Sequence, residues 1–359
     1  MEQSTVDGLL AKAWDQEHLT HDDIVNLLSV RNERDISMLF ETAREIKERN
    51  FDNKVFLYGF VYFSTYCRNN CSFCFYRQSN DDSVRYRKTK EEIISLAVAL
   101  EDAGVHLIDL TMGEDPRYHA GSKQALLDVI QGVSDEVRTP IMASPGVIPK
   151  DLFNDMRNSG VDWFACYQET HNQALFTRLR PDQDYYERYM QKIWARRSGL
   201  LTEEGIMVGV GESIDDRATS IEVMLQEGVQ QVRAMTFVPQ KNTPMETVPT
   251  TTYLDELVTM AVMRLVHQDK LIPASLDIQG VSGLKPRLDA GANVITSIIP
   301  PEKGLAGVAQ HVLEIDTGER SPGSMGRALG NLDVDIAPLA DYNRLIGEWK
   351  NSIVPQVIA

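Results

Sequence analysis

The chain has 359 residues, 43% of them apolar, which is enough for a large buried core. Its 36 Lys and Arg stand against 52 Asp and Glu, a net charge of −16, with no basic run to track a phosphate backbone, so nucleic acid is excluded as a natural partner. No apolar segment approaches the roughly 20 residues of a membrane span, the N-terminus has no basic-then-apolar leader, and four cysteines are too few for a disulfide framework, so the chain reads as cytoplasmic with no membrane partner.

In chain order, residues 1–50 carry two or three helical patterns. "THDDIVNLLS" has Thr20 as its cap and Asp23 at the third helical position. This extension is expected to cover the N-terminal end of whatever residues 51–359 build. Strand-like runs follow at 55–63, 106–112, 140–144, 163–169, 205–211, 232–237, 272–278 and 293–299. Between them lie helical patterns such as "KEEIISLAVALEDAG", "KQALLDVIQGVSDE", "PKDLFNDMRNSG", "DDRATSIEVMLQEG" and "YLDELVTMAVMRLVH". Eight strands alternating with helices predict an α/β fold, a parallel sheet closed into a (β/α)8 barrel of the TIM type. The alternative, an open doubly wound sheet, would want G-x-G-x-x-G after the first strand. That strand runs instead into "FSTYCRNNCSFCFYRQ". Past residue 300 the pattern loosens into "PPEKGLAGVAQ" and a Gly- and Pro-rich stretch, then one or two last helices.

In such a barrel the loops leaving the strand C-termini build the active site. The cysteines Cys67, Cys71 and Cys74 leave strand one, "MGEDP" strand two, "SPG" strand three and "QETH" strand four. Structural zinc closes with four ligands, and no fourth Cys or His follows within about thirty residues of Cys74; Cys166 falls in strand four and reads as a small buried hydrophobe. The open three-thiolate set suits an iron–sulfur cluster with one iron left for an external ligand, and the residues alone leave zinc and cluster both open. On the strands, Asp109, Arg233, Ser275 and Asp277 point charge and a hydroxyl into an apolar interior, which requires a partner for each charge. Two carboxylates, a guanidinium and a hydroxyl complement an amino acid with one carboxylate and two ammonium groups. The alternative is a self-satisfied Asp–Arg pair in the barrel core.

C-x3-C-x2-C with Phe73 before the last cysteine resembles the signature of radical S-adenosylmethionine enzymes. The resemblance extends, from about residue 20 to 315, to the methylornithine synthase family of the pyrrolysine pathway, through "NKVFLYGFVYFSTYCRNNCSFCFY", "IDLTMGEDP", "YQET", "VRAMTFVPQ", "KLIPASLDIQG" and "RLDAGANVITSIIPP". It implies a [4Fe–4S] cluster on Cys67, Cys71 and Cys74, with S-adenosylmethionine on its unique iron. It also implies cofactor contacts from Gly113, Glu114, Ser144, Glu169 and Arg188. Arg180 competes with Arg188, and a solvated helix charge is the alternative for either. Asp109, Arg233, Ser275 and Asp277 are then the residues that bind the diamino acid. The implied reaction isomerises L-lysine to (3R)-3-methyl-D-ornithine through a 5′-deoxyadenosyl radical, with a one-electron donor such as flavodoxin or ferredoxin as partner. Two rival expectations are another enzyme of the biotin synthase and hydrogenase-maturase group, and a zinc-stabilised ligand-binding barrel. Biotin-synthase chemistry is disfavoured because one leftover cysteine cannot ligate a second cluster.

Overall fold

The computed structural model describes residues 5–121, 123–300, 320–332 and 334–353, so most of the loose stretch opening "PPEKGLAGVAQ" lies outside the described residues. Three helices, α1 (Val6–Trp14), α2 (His21–Leu28) and α3 (Glu33–Phe51), lead into β1 (Lys54–Ser64). Then follow α4 (Lys90–Asp102), β2 (Leu107–Met112), α5 (Lys123–Glu136), β3 (Ile141–Ser144), α6 (Leu152–Asn158) and β4 (Trp163–Ala165). Two helices, α7 (Gln173–Leu179) and α8 (Tyr185–Arg197), precede β5 (Leu201–Val208), α9 (Ile214–Glu227), β6 (Gln231–Thr236) and α10 (Tyr253–Val266). The chain continues through β7 (Pro273–Ser275), α11 (Leu284–Asp289), β8 (Val294–Ile298), α12 (Pro322–Gly330), β9 (Asp335–Ile336) and α13 (Leu339–Ser352).

Local chemistry fixes many of these boundaries. Thr20 and Asp23 form the reciprocal capping box expected of them, and Thr89 with Glu92 and Ser213 with Asp216 repeat it at α4 and α9. Gly228 ends α9 in the left-handed conformation. The strands pair in parallel in the order β6-β5-β4-β3-β2-β1-β8-β7. Leu271 laces the last gap: its N–H donates to the Gln230 carbonyl (3.0 Å) and its carbonyl accepts from the Val232 N–H (3.0 Å). The chain is therefore a barrel and not an open sheet. Among the described residues β6 and β7 pair only at this N-terminal end, and the staves part above it.

The lower mouth of the barrel differs from expectation. α1–α3 pack sideways on α9, α10 and α11, the outer ring, and the N-terminal mouth is filled by α13 instead. Tyr342 of α13 packs tilted against Phe56 (5.2 Å between ring centroids) and shares a hydrogen bond with Tyr58 (2.9 Å), while Trp349 meets Trp163 edge-on (6.2 Å). His106 fastens the approach to α13: its Nδ1 accepts from the Leu57 N–H (2.9 Å) and its Nε2 donates to the Ala337 carbonyl (2.7 Å). The aromatic and alternating pattern of α13 matches a plug, and that plug closes one end of the barrel so that only the other end is free to carry chemistry.

Candidate active site

The cysteine loop is held from several sides. The Arg85 guanidinium donates to the carbonyls of Thr65, Tyr76, Arg77 and Asn80 at 2.6–3.3 Å, drawing the loop into one turn. Asp115, fully buried, accepts from Ser64 Oγ (2.5 Å), Arg87 Nε (2.6 Å) and Arg87 Nη2 (2.9 Å), and so ties the end of β1 to "MGEDP". Gly113 lies against the loop backbone: a Cβ there would sit 2.4 Å from the Tyr66 carbonyl oxygen and 3.1 Å from Cys67 Cβ. The Ser72 N–H donates to the Leu179 carbonyl (2.7 Å), linking the loop to the end of α7.

Above the loop and inside the barrel is a cavity of about 320 Å³. Its wall includes Cys67, Cys71, Cys74, Asp109, Gly113, Glu114, Ser144, Glu169, Arg188, Arg233 and Asp277, so all but one of the site residues named from the sequence converge on one space. Ser275 stands behind the wall, its hydroxyl 2.9 Å from Asp277 Oδ2. Cys166 also faces the cavity, as a free thiol, and all four cysteines are free.

The two arginines read as possible solvated charges are both buried, because the α7–α8 connection folds back over the loop. Arg188 donates to the Tyr167 carbonyl (2.7 Å) and to Glu114 Oε1 (3.2 Å). Burial pushes the Glu114 carboxyl up, but Arg188, His119 and Arg68 outweigh it and hold the group below the ordinary carboxylate range. Arg180 donates to Glu169 Oε1 (2.5 Å) and to Cys71 Sγ (3.3 Å). Glu169 itself stands at a left-handed φ of 67°, in a residue type that seldom adopts it, yet its backbone rejoins β5 through the Gly205 carbonyl (3.1 Å) and the Met207 N–H (2.9 Å). Strand four is thus shorter than its apolar run, and the break after Ala165 swings Glu169 into the cavity. Its Oε2 has no hydrogen-bond partner among the described residues.

The charges on the strands are arranged differently from the expected bare set. Arg233 is already partnered: its Nε donates to Glu203 Oε1 (2.7 Å), and Glu203 on β5 stands behind it, away from the cavity. Sequence reading missed Glu203, since the strand-like run is placed from Gly205 onward while the strand begins at Leu201. On the strand, neighbouring glutamates diverge: Glu203 goes to Arg233 and Glu204 goes outward to Lys192 Nζ (2.5 Å). Asp277 is likewise committed, accepting from Ser275, from Ser297 Oγ (2.6 Å) and from Arg320 Nη1 (3.1 Å). The Asp–Arg pair of the alternative reading does not form between Arg233 and either aspartate: Arg233 pairs with Glu203 and Asp277 with Arg320, and the Arg233 guanidinium still faces the cavity. Asp109 differs. Among the described residues it accepts only from Ser144 Oγ (2.7 Å), and burial raises its carboxyl to about 7. The site thus offers four guanidinium groups backed by carboxylates, on Arg180, Arg188, Arg233 and Arg320, and one acid, Asp109, without a cationic hydrogen-bond partner among the described residues. A separate buried group outside the barrel wall, His171, Glu204 and Glu227, has the makings of a metal site, but the Lys192 ammonium takes the cation's place there.

The model of the radical SAM superfamily matches residues 61–224. The 3-methylornithine synthase of Methanosarcina acetivorans is 40% identical over 91% of this chain and 93% of its own length. The chain belongs to the 3-methylornithine synthase family of radical S-adenosylmethionine enzymes. A second 3-methylornithine synthase, from Methanosarcina barkeri, is 38% identical over 95% of this chain and 97% of its own. The crystal structure of methylornithine synthase superimposes with a TM-score of 0.89 at 38% identity, covering 94% of this chain and 99% of that one. Enzymes of the radical S-adenosylmethionine kind use a [4Fe–4S] cluster and S-adenosylmethionine, and the residues here fit both. The three thiols of the loop face the same cavity, which the fourth, Cys166, reaches from the end of β4, and burial with mutual repulsion pushes Cys74 up while burial raises Cys67 to about 11. Such groups are deprotonated by bound metal rather than by solvent. The orphaned Glu169 oxygen, 6% exposed as a residue, is a ready acceptor for an ammonium or hydroxyl group.

Proposed function

We propose that this enzyme isomerises L-lysine to (3R)-3-methyl-D-ornithine, the reaction that supplies pyrrolysine biosynthesis, in the cytoplasm and with a flavodoxin- or ferredoxin-type electron donor. The observation that carries the substrate is the cavity's charge layout, in which the guanidinium of Arg233 and the unpaired acid Asp109 line the same wall. When bound, the cluster on Cys67, Cys71 and Cys74 and its S-adenosylmethionine supply hydrogen abstraction from an unactivated carbon. The chain supplies position. Gly113 admits the cofactor close to the backbone, Glu169 and Glu114 take its positive groups, and Arg188 and Ser144 its negative or hydroxyl groups.

Arg233 takes the lysine carboxylate. Among the described residues only its Nε is engaged, so the two terminal nitrogens are left for a bidentate pair. Asp109 takes an ammonium group, which restores its ionised form. Asp277, with Ser275 behind it, acts at the far side together with Arg320. Fragments of a carbon skeleton that separate and rejoin must be kept from drifting, and charged handles for the carboxylate and for the ammonium group do that. The wall between them is Phe60, Tyr62, Met207, Met235 and Ile299, which excludes water from a reactive centre. The test is turnover of L-lysine by the reduced, cluster-loaded enzyme without oxygen.

A further inference from the structure

Two polar side chains beside the cluster loop, Arg180 and Gln183, meet at one ligand sulfur. Cys71 Sγ accepts hydrogen bonds from Arg180 Nη1 (3.3 Å) and from Gln183 Nε2 (3.1 Å). Among the described residues neither Cys67 nor Cys74 has a side-chain donor of this kind; Cys67 Sγ accepts from backbone N–H groups, among them a long bond from Asn69 (3.4 Å). The donors are built in. Arg180 caps the end of α7, Gln183 lies just before the start of α8, and the short connection turns at Asp182, whose φ is 64°. That turn bends both side chains onto one sulfur.

The pair is internally ordered as well. Arg180 Nη1 also reaches Gln183 Oε1 (3.5 Å), which fixes the amide so that its NH2 faces the sulfur. The guanidinium is anchored on its other side by Glu169 (2.5 Å) and lies 5.2 Å from the Phe73 ring centroid, next to the last ligand cysteine. A cation and an amide donor directed at a ligand sulfur withdraw electron density from it. In a buried site they favour whichever state of the centre carries more negative charge.

We infer that Arg180 and Gln183 set the reduction potential of the cluster, raising it so that a biological one-electron donor can reduce it. The inference rests on the cluster assignment and on nothing about the substrate. One electron would pass from a low-potential donor to the cluster with no bond formed or broken, and Arg180 and Gln183, bonded to the Cys71 sulfur, would stabilise the charge added to the cluster as a whole. Gln183 is outside the cavity wall, so it separates this role from cofactor binding, whereas Arg180 also holds Glu169.

The test is a redox titration of the reconstituted enzyme without S-adenosylmethionine, read by the electron paramagnetic resonance signal of the reduced cluster, with iron and sulfide counted per chain. Gln183→Leu should load a full cluster and titrate lower, with the ratio of reduced to oxidised cluster about tenfold smaller at the wild-type midpoint, or about 59 mV for one electron. Gln183→Glu, which sets a negative acceptor against the sulfur, should fall further. Should Gln183→Leu load poorly, Gln183→Met provides the same comparison at the same chain length. Fully loaded Gln183 variants with the wild-type potential, or a higher one, would overturn the inference. A wild type that takes up no [4Fe–4S] cluster would overturn the cofactor assignment and this inference with it.

Discussion

Arg233 Nε lies 2.7 Å from Glu203 Oε1, with both residues buried and on neighbouring strands whose register pairs Gly205 with Arg233. Glu203 holds the guanidinium by its inner edge and so aims the outer edge at the cavity. Glu203→Gln keeps the shape and removes the charge. Breaking a buried pair typically costs about 3 to 5 kcal/mol, on the order of a hundredfold or more in binding. We expect a raised KM for lysine in Glu203→Gln and loss of turnover in Arg233→Ala, with the cluster loaded in both. Arg233→Lys should not rescue, because it keeps the charge and loses the fork. Steady-state kinetics beside an iron count decides it, and wild-type KM values in Glu203→Gln would refute the aiming role.

Asp109 gives the reaction an acid limb. Its carboxyl is raised to about 7 by burial, so in the free enzyme it is largely protonated below that pH and ionised above it. An ammonium group binds the ionised form, so kcat/KM for lysine should fall as pH drops through about 7 and level off above it. Asp109→Asn should abolish turnover while S-adenosylmethionine still binds. Asp109→Glu, which keeps the acid, should retain a pH-dependent remnant. A pH profile of kcat/KM that is flat between 6 and 8 would remove Asp109 from substrate binding.

How much of this was legible beforehand depended on sequence distance. The cysteine loop was readable because its ligands lie within one turn of chain, and the eight strands because apolar runs survive without tertiary context. Glu203 was not, because two consecutive glutamates interrupt the apolar run that begins at Gly205, and only pairing with β4 and β6 makes them part of the strand. Arg320 was not, since it meets Asp277 from 43 residues away. The burial of Arg180 and Arg188 depends on how α7 and α8 fold over the loop, which periodicity does not report. The plug at the lower mouth was assigned to the wrong end of the chain, because amphipathic helices at both termini look alike and only contact with Tyr58 and Trp163 distinguishes α13.

Cys166 faces the cavity and is the fourth thiol in reach of the eye, so its role is open to direct trial. It lies just past β4, buried, with burial raising its thiol. Cys166→Ala should keep a full cluster and lose roughly 1 kcal/mol of stability through a small cavity. Cys67→Ala, Cys71→Ala and Cys74→Ala should each lose the cluster. Iron content and the brown absorbance of anaerobically purified protein distinguish the two groups. A colourless Cys166→Ala protein would mean that the ligand set is misassigned.

Gly113→Ala tests how closely the cluster loop is fitted to β2. The new methyl carbon would lie 2.4 Å from the Tyr66 carbonyl oxygen, and a backbone atom cannot step aside as a flexible side chain can. Overpacking of this kind typically costs about 1 to 3 kcal/mol. We expect a folded barrel by circular dichroism, a lowered melting temperature and at most half the wild-type iron. Full iron at the wild-type melting temperature would show that the loop tolerates the shift.

The central claim is the substrate. Reduced, cluster-loaded enzyme with S-adenosylmethionine is incubated without oxygen with L-lysine, and the amino acids are separated by chromatography and weighed by mass spectrometry. The account predicts a new amino acid of unchanged mass that elutes with 3-methylornithine and is absent with Arg233→Ala. Lysine recovered unchanged by an enzyme that carries its cluster and binds S-adenosylmethionine would contradict it.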